Sequence, residues 1–248
     1  MPTYDGMRAL VTGGGSGIGA ATARMLREGG AEVACVDLDP TGAPDGCHQL
    51  AGDVSDPGIS LVVDEAVRVL GGLDVLVNNA GVGAAGTVED TEDDVFRRLH
   101  EVNVLGTVRV TRASLPALRA SAAAVVVNTC SVAAQVGLPQ RAAYSASKGA
   151  LWSLTLAMAA DHLGEGIRVC GVAPGTADTP WVQRLLDAAD DPSAERAALE
   201  ARQPIGRLVS AEEVAHTICF LASPLSGSAT GTVVTVDGGL SFLRLPPG

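Results

Sequence analysis

The stretch Arg8-Ala9-Leu10-Val11-Thr12-Gly13-Gly14-Gly15-Ser16-Gly17-Ile18-Gly19-Ala20 decides the fold. An apolar β-type run, Ala9 to Val11, leads through a glycine-rich turn into a helical pattern spanning Gly17 to Glu28. Glycines allow the tight turn and let backbone N–H groups approach a pyrophosphate at the positive end of a helix. A turn between any strand and helix can carry glycines, so the loop gains meaning from its context, a strand before it and a helix after.

Working outward, the same alternation repeats. Strand-like runs occur at Ala9–Val11, Glu32–Val36, Val75–Val77, Ala124–Asn128, Ile167–Val172 and Thr232–Val236, mostly apolar on both parities. That pattern suits strands covered on both faces. Between them lie helical patterns at Gly17–Glu28, Ile59–Val69, Glu92–Leu118, Ala142–Leu163 and Ala211–Leu221. Strand–helix–strand units of this length give right-handed crossovers and a parallel sheet. The expected fold is α/β: one Rossmann-type domain over residues 1–248, a doubly wound parallel sheet with helices on both faces. Two segments break the rhythm. Turn formers crowd Asp37–Asp53, which predicts a loop or a single turn there. After the sixth strand, Thr176–Gly206 forms a long insertion, helical around Trp181–Ala189 and Pro192–Arg202, read as a lid over the substrate.

Composition narrows the function. The chain has 248 residues, 47% hydrophobic and 3% aromatic, with a net charge of −11. Such an acidic, aromatic-poor surface argues against nucleic acid and anionic membranes as partners and points to a small molecule. No run of about 18 apolar residues is available to cross a membrane. Five dispersed cysteines without a CxxC pair, and no histidine at ligand spacing, predict no metal site and fit a reducing, cytoplasmic setting.

At the glycine loop, Gly13, Ser16, Gly17, Ile18 and Gly19 are the candidate phosphate contacts. Asp37, with Leu38 beside it, ends the second strand, where a carboxylate accepts bonds from adenosine ribose hydroxyls and repels a 2′-phosphate. No Arg or Lys in the loop or directly after Asp37 offsets that repulsion, so the expected cofactor is NAD rather than NADP. The competing reading makes Asp37 a strand-end turn residue. Asp53 and Val54 sit where they would meet the adenine edge, although an Asp before a helix is also a routine cap.

Tyr144 and Lys148 stand at i and i+4, on one helix face. A tyrosine with a pKa of about 10 is a poor base at neutral pH, and a neighbouring ammonium stabilises its phenolate. Ser131 follows the Val125–Val127 run, placed to bind a substrate oxygen. Asn103 lies inside a predicted helix, where a side chain that competes for backbone hydrogen bonds is awkward; a buried Asn bending the helix to hold a water is one reason to have it. Each residue alone has a structural explanation: a solvated helix pair, a turn serine, a surface asparagine.

Taken together, these residues resemble the short-chain dehydrogenase/reductase family along essentially the whole chain. The landmarks are Thr12 to Gly19, Asp53, Asn78-Asn79-Ala80-Gly81, Asn103, Ser131, Tyr144 with Lys148, Pro174-Gly175 and Asp237-Gly238-Gly239. The resemblance implies hydride transfer between an alcohol and a nicotinamide, with Tyr144 as acid/base and Lys148 binding the nicotinamide ribose and lowering the tyrosine pKa. It also implies Ser131 orienting substrate and Asn103 carrying a water that links Lys148 to solvent. Asn79, Ala80 and Gly81 would line the adenosine side, and Pro174, Gly175, Ala177 and Thr179 the nicotinamide end, with Ala177 where the family usually has Val. A homotetramer is implied, pairing the Asn103 and Tyr144 helices. Cys130 takes a position often held by Ser, and the short Asp37–Asp53 segment leaves the adenine side more open.

For the substrate, Arg141, Arg184 and Arg202 point toward the pocket in a chain with only 17 basic residues, and guanidinium grips carboxylate in a bidentate fashion. The lid also resembles the branch holding cytosolic type 2 hydroxybutyrate dehydrogenase and 2-keto-3-deoxy-L-fuconate dehydrogenases. That likeness puts Arg141 and Arg202 on matching positions and Arg184 one residue off. A hydroxy-carboxylate or sugar acid is the resulting expectation. Against it stands pairing of Arg184 and Arg202 with Asp187, Glu195 or Glu200 on the lid surface. A neutral cyclic diol or other secondary alcohol would instead lean on Trp181 and Leu138, and a non-catalytic NAD-binding regulator is the remaining alternative.

Overall fold

A computed structural model describes residues 3–187 and 189–244. The outermost residues of the expected domain (1–2 and 245–248), and Ala188 of the first expected lid helix, lie outside these. In chain order the elements are β1 (Arg8–Thr12), α1 (Gly17–Glu28), β2 (Glu32–Asp37), β3 (His48–Ala51), α2 (Ile59–Leu70), β4 (Val75–Asn78) and α3 (Asp93–His100). There follow α4 (Thr107–Arg119), β5 (Val125–Thr129), α5 (Ala142–His162), β6 (Arg168–Pro174), β7 (Ala177–Asp178) and α6 (Pro180–Asp187). Last come α7 (Pro192–Ala201), β8 (Val209–Ser210), α8 (Ala211–Ala222) and β9 (Thr232–Val236).

Seven strands form one parallel sheet in the order β3-β2-β1-β4-β5-β6-β9. The strand order reverses between β1 and β4, and in such sheets ligands bind in the crevice beyond the carboxyl ends of those strands. β-Branched runs make the central strands: all of Val125–Thr129 and Val75–Asn78 is buried. One apolar layer packs α1 and α8 on the sheet through Leu26, Val33, Val127, Val214 and Ile218. The opposite layer packs α2, α4 and α5 through Ile59, Val63, Leu76, Val110, Leu118 and Met158. At about 1.5–3 kcal/mol per buried aliphatic side chain, these layers fix the strand ends that carry the site.

Two expectations need correction. The Asp37–Asp53 segment holds a 3-10 turn, Pro40–Gly42, but also the strand β3. That strand is an edge, largely exposed, so its sequence His48-Gln49-Leu50-Ala51 has no buried run to announce it. The single helix expected over Glu92–Leu118 is two helices joined by a π-helical segment, Glu101–Gly106. In the Thr176–Gly206 lid, α6 and α7 carry a small core of their own, Val182, Leu186, Leu199 and Leu208 with Trp181 against it. The short pair β7–β8 closes the base of that lid. Among the described residues no helix is long and apolar enough to cross a membrane.

Candidate active site

A cleft of about 610 Å³ opens at the carboxyl edge of the sheet, between the glycine loop, α5 and the lid. Along it lie Gly13, Ser16, Gly17, Ile18, Asp37, Leu38, Asp53, Val54, Asn79, Ala80 and Gly81. Its deeper and lid-side walls carry Ser131, Tyr144, Lys148, Pro174, Gly175, Ala177 and Thr179, with Arg141, Trp181, Arg184 and Arg202 toward the mouth. Two predicted residues stand behind this surface, Gly19 and Asn103. A Cβ on Gly19 would lie 2.0 Å from the Gly13 carbonyl oxygen, so Gly19 lets α1 pack against the loop instead of lining the cleft.

The loop is held from below. Gly13 and Gly17 take left-handed φ values of 66° and 52°, which bulkier residues resist. The Thr12 hydroxyl accepts the Asn79 and Ala80 amides at 3.0 and 3.1 Å, and Asn79 Nδ2 donates to the Thr12 and Gly13 carbonyls at 3.1 and 3.3 Å. Ser16 caps α1 without a side-chain hydrogen bond, leaving the first-turn amides open to the cleft. Asp37 Oδ2 accepts the Gly15 amide at 2.9 Å and Oδ1 the Asp39 amide at 3.3 Å, so the carboxylate ties the loop and lines the cleft. Asp53 is not a helix cap: its Oδ1 accepts the Ser55 amide and hydroxyl at 2.8 and 2.6 Å, and α2 starts only at Ile59. Leu38 is 74% exposed, which leaves the rim open on the adenine side.

At the catalytic end, Ser131 caps the short 3-10 turn Val132–Ala134, its Oγ accepting the Ala133 amide at 3.2 Å. The hydroxyl proton is then free to be donated to a ligand. Lys148 is only 4% exposed and donates to the Thr129 carbonyl at 2.8 Å, with Nζ 5.9 Å from the Tyr144 ring centre. An ammonium has three protons to donate, and this one has a single protein acceptor among the described residues. The space around it is tight: a Cβ on Gly81 would sit 3.4 Å from Lys148 Nζ and 3.1 Å from Asn103 Oδ1. Asn103 bonds on both sides of its amide. Oδ1 accepts the Val82 amide at 2.8 Å, while Nδ2 donates to the Val82 carbonyl at 2.9 Å and to Ser147 Oγ at 3.0 Å. Both Nδ2 protons are used and one acceptor site on Oδ1 is left, so the side chain ties the 82 loop and α5 to the π-helical segment. Next to Ser131, Cys130 is buried, and burial pushes its thiol up, away from reactivity.

The arginines divide. Arg196 takes the lid carboxylates, bonding Asp178 at 2.8 Å and Glu200 at 3.1 Å, and Asp187 accepts from Gln183. Arg141, Arg184 and Arg202 have no ion-pair partner among the described residues. The Arg141 guanidinium is driven down from its usual range by burial and then by the charge of Arg202, partly offset by Tyr144 and Glu195. Gln140, at φ 54°, and the bonds Gly86 N–H to Gln140 O (3.1 Å) and Ala142 N–H to Gly86 O (3.2 Å) fix the Arg141 backbone. Trp181 lies against Gly83, where a Cβ would come within 2.6 Å of its ring. Sequence reading missed Arg98, Glu101 and Leu240, which reach the cleft from outside its motifs, and Thr129, two residues before Ser131. It also missed Ser147, the hinge between Asn103 and the Tyr144 carbonyl, although it lies inside the Tyr144–Lys148 motif.

Comparison with known proteins agrees with this geometry. The family model described as enoyl-(acyl carrier protein) reductase matches residues 13–241. The chain is 38% identical to 2-(S)-hydroxypropyl-CoM dehydrogenase 3 of Xanthobacter autotrophicus, over 94% of this chain and 96% of that one. It is 40% identical to cis-4-hydroxycyclohexanecarboxylate dehydrogenase of Sinomonas cyclohexanicum, over 93% and 95%. Among solved structures, 3-ketoacyl-(acyl-carrier-protein) reductase from Brucella melitensis complexed with NADH superposes with a TM-score of 0.88 at 33% identity, covering 97% and 100%.

Proposed function

The chain belongs to the short-chain dehydrogenase/reductase family and is an oxidoreductase acting on secondary alcohols; from that premise we propose that it works with NAD on an alcohol bearing a carboxylate or similar small anion, with Tyr144 as acid/base. The observation that carries the reading is the pair Arg141 and Arg202, two half-buried guanidinium groups without carboxylate partners among the described residues, in the same cleft as Tyr144. Like charges held together without a direct carboxylate contact, Glu195 acting only at longer range, favour an anion that satisfies both. The relatives named above include a hydroxy-carboxylate dehydrogenase, which fits the same chemistry. Trp181 and Leu138 give the apolar wall against which the carbon frame would lie.

NAD suits the dinucleotide end: the loop amides are open, Asp37 stands at the ribose position, and two Lys148 protons await acceptors. When bound, the nicotinamide supplies the hydride acceptor or donor. The chain's own groups do the rest. Ser131 donates its hydroxyl proton to the substrate oxygen and orients it. Tyr144 takes the alcohol proton in oxidation and returns it in reduction. Lys148 stabilises the phenolate from beneath the ring. Asn103 is a positioning residue that holds Ser147 and the 82 loop around this centre.

We include in the proposal one domain over 1–248 and a homotetramer. Of the apolar α5 face Leu151, Leu154, Ala157 and Met158 that would pair across the interface, Leu151 and Met158 are buried, Leu154 is half-buried against the core and Ala157 is exposed. Five free cysteines support a reducing, cytoplasmic compartment. The deciding experiment follows NAD reduction across hydroxy acids, each paired with its amide, for the native protein and Arg141→Ala. The acids should react, the amides should not, and the variant should lose about 2 kcal/mol in kcat/KM. Equal turnover of acids and amides, unchanged by the substitution, redirects the search to neutral cyclic or hydrophobic alcohols.

A further inference from the structure

We propose that Cys35 and Cys47 form a dithiol that hydroperoxides convert to an intramolecular disulfide, loosening the dinucleotide end of the cleft. The two residues share one face of the sheet. In the β2–β3 register Cys35 lies opposite Gln49, and Cys47 is two residues earlier, on the same side. Cys47 packs against the apolar layer that contains Cys35.

Their surroundings divide the roles. Cys47 is half-buried and Cys35 fully buried. Arg27 lies over the turn that leads into Cys47: a Cβ on Gly46 would meet its Nε at 3.0 Å and Nη2 at 3.3 Å. A surface groove lined by Arg24, Arg27, Glu28, Ala43, Pro44 and Asp45 runs past the same turn. The Cys47 thiol is drawn down by its neighbour Cys35 and then by Arg27, and Cys35 is pushed up by the proximity of Cys47 and by burial. Cys47, the more exposed thiol and the one beside Arg27, is therefore the attacking thiolate, and the fully buried Cys35 the resolving thiol. The Cys47 sulfur attacks the distal peroxide oxygen, the O–O bond breaks, and the alkoxide or hydroxide leaves and picks up a proton. Cys35 then attacks the sulfenic sulfur, forming the S–S bond and releasing water with the Cys35 proton. Two electrons pass from the two thiols to the peroxide.

The same geometry carries the consequence to the cofactor loop. A Cβ on Gly14 would lie 2.6 Å from Cys35 Cβ and 2.8 Å from its Sγ, so this side chain is the floor of the loop. The next residue, Val36, accepts the Gly13 and Gly14 amides on its carbonyl at 2.8 and 3.5 Å. Strand spacing and rise put Cα atoms at this diagonal roughly 8 Å apart, beyond the about 4.4–6.8 Å that a disulfide takes. Closing the bond must draw Cys35 and the 44–47 turn together, moving both the floor of the loop and the Asp37–Leu38 rim.

The test treats the reduced protein with equimolar hydrogen peroxide, maps cross-linked peptides by mass spectrometry without reductant, and titrates whichever of NADH or NADPH the reduced protein binds more tightly. Expected are a Cys35–Cys47 cross-link, a rise of about fivefold or more in dinucleotide Kd, and recovery with dithiothreitol. Cys47→Ser should keep the reduced protein's affinity and lose the response. Absence of the cross-link overturns the proposal, as does a cross-link that leaves Kd unchanged or a Cys47→Ser protein that still responds. Neither readout depends on the substrate, so failure of the anion reading leaves the test intact.

Discussion

The two ends of the cleft are built on opposite rules. Along the sheet edge, the groups that support the cleft are paired within the protein: the Thr12 hydroxyl takes two amides, Asn79 ties the end of β4 to the glycine loop, and the Asn103 amide bonds Val82 and Ser147. At the mouth, Arg141, Arg184 and Arg202 face the cleft with no carboxylate of their own among the described residues. Pairing makes geometry that does not wait for a ligand, and unpaired charge leaves binding free energy for the ligand to collect. The difference separates the frame of the cleft from the part of it that we propose selects the substrate.

Tyr144→Phe tests the paired end hardest. It removes one hydroxyl and leaves the ring beside Lys148, so turnover should fall by about 10²–10⁴ while dinucleotide affinity stays within about twofold. Steady-state rates and a fluorescence titration of the same preparation check both halves. A parallel loss of dinucleotide binding breaks the comparison, because the acid/base group would then also be part of the scaffold. Next in size is the mouth. Arg141→Ala and Arg202→Ala should each cost about 2 kcal/mol in kcat/KM for an acid substrate, and the double variant less than their sum, since both cations serve one anion. Additive losses would mean two separate sites.

How legible each end was follows from the same contrast. The glycine loop and both ends of α1 were readable because the signal is local: an apolar strand, positive-φ glycines and a helical period within about twenty residues. Tyr144 and Lys148 were readable from their i, i+4 spacing. The π-helical break was not, because the residues that hold Asn103, Val82 and Ser147, lie 21 and 44 positions away. Nor was β3, an exposed edge with no apolar run. One signal was present and unused: Arg196 and Glu200 stand at i, i+4 on α7, which already assigned the lid carboxylate to Arg196 and released Arg202 for the cleft.

Asp37 sits where the two rules meet: Oδ2 accepts the Gly15 amide and Oδ1 the Asp39 amide at 3.3 Å, while the residue lines the cleft. Asp37→Ser should narrow any preference for NAD over NADP by about tenfold, roughly 1.4 kcal/mol, by removing the charge that repels a 2′-phosphate. The ratio of kcat/KM for the two dinucleotides measures it. An unchanged ratio would make Asp37 purely a support of the loop.

The smallest effect concerns the base of the lid, where Ser210 and Glu213 form a capping box at the start of α8. Glu213 is held at about 2, against 4.5 normally, by the forked Arg207 guanidinium and then by the Ser210 amide. Because its folded value is depressed, its contribution is fully present above the unfolded value and is lost as pH falls toward the folded one. Both side chains are well exposed, 56% and 42%, so solvent screening limits the gain to below about 1 kcal/mol. Urea unfolding of Glu213→Gln beside the native protein should show that difference at neutral pH and a shrinking one between about pH 4.5 and 3. Turnover of the acid substrate should not change, since β8 and the cap belong to the paired scaffold. A raised KM in this variant would show instead that the cap sets the angle of the lid, and that the mouth is not independent of the frame beneath it.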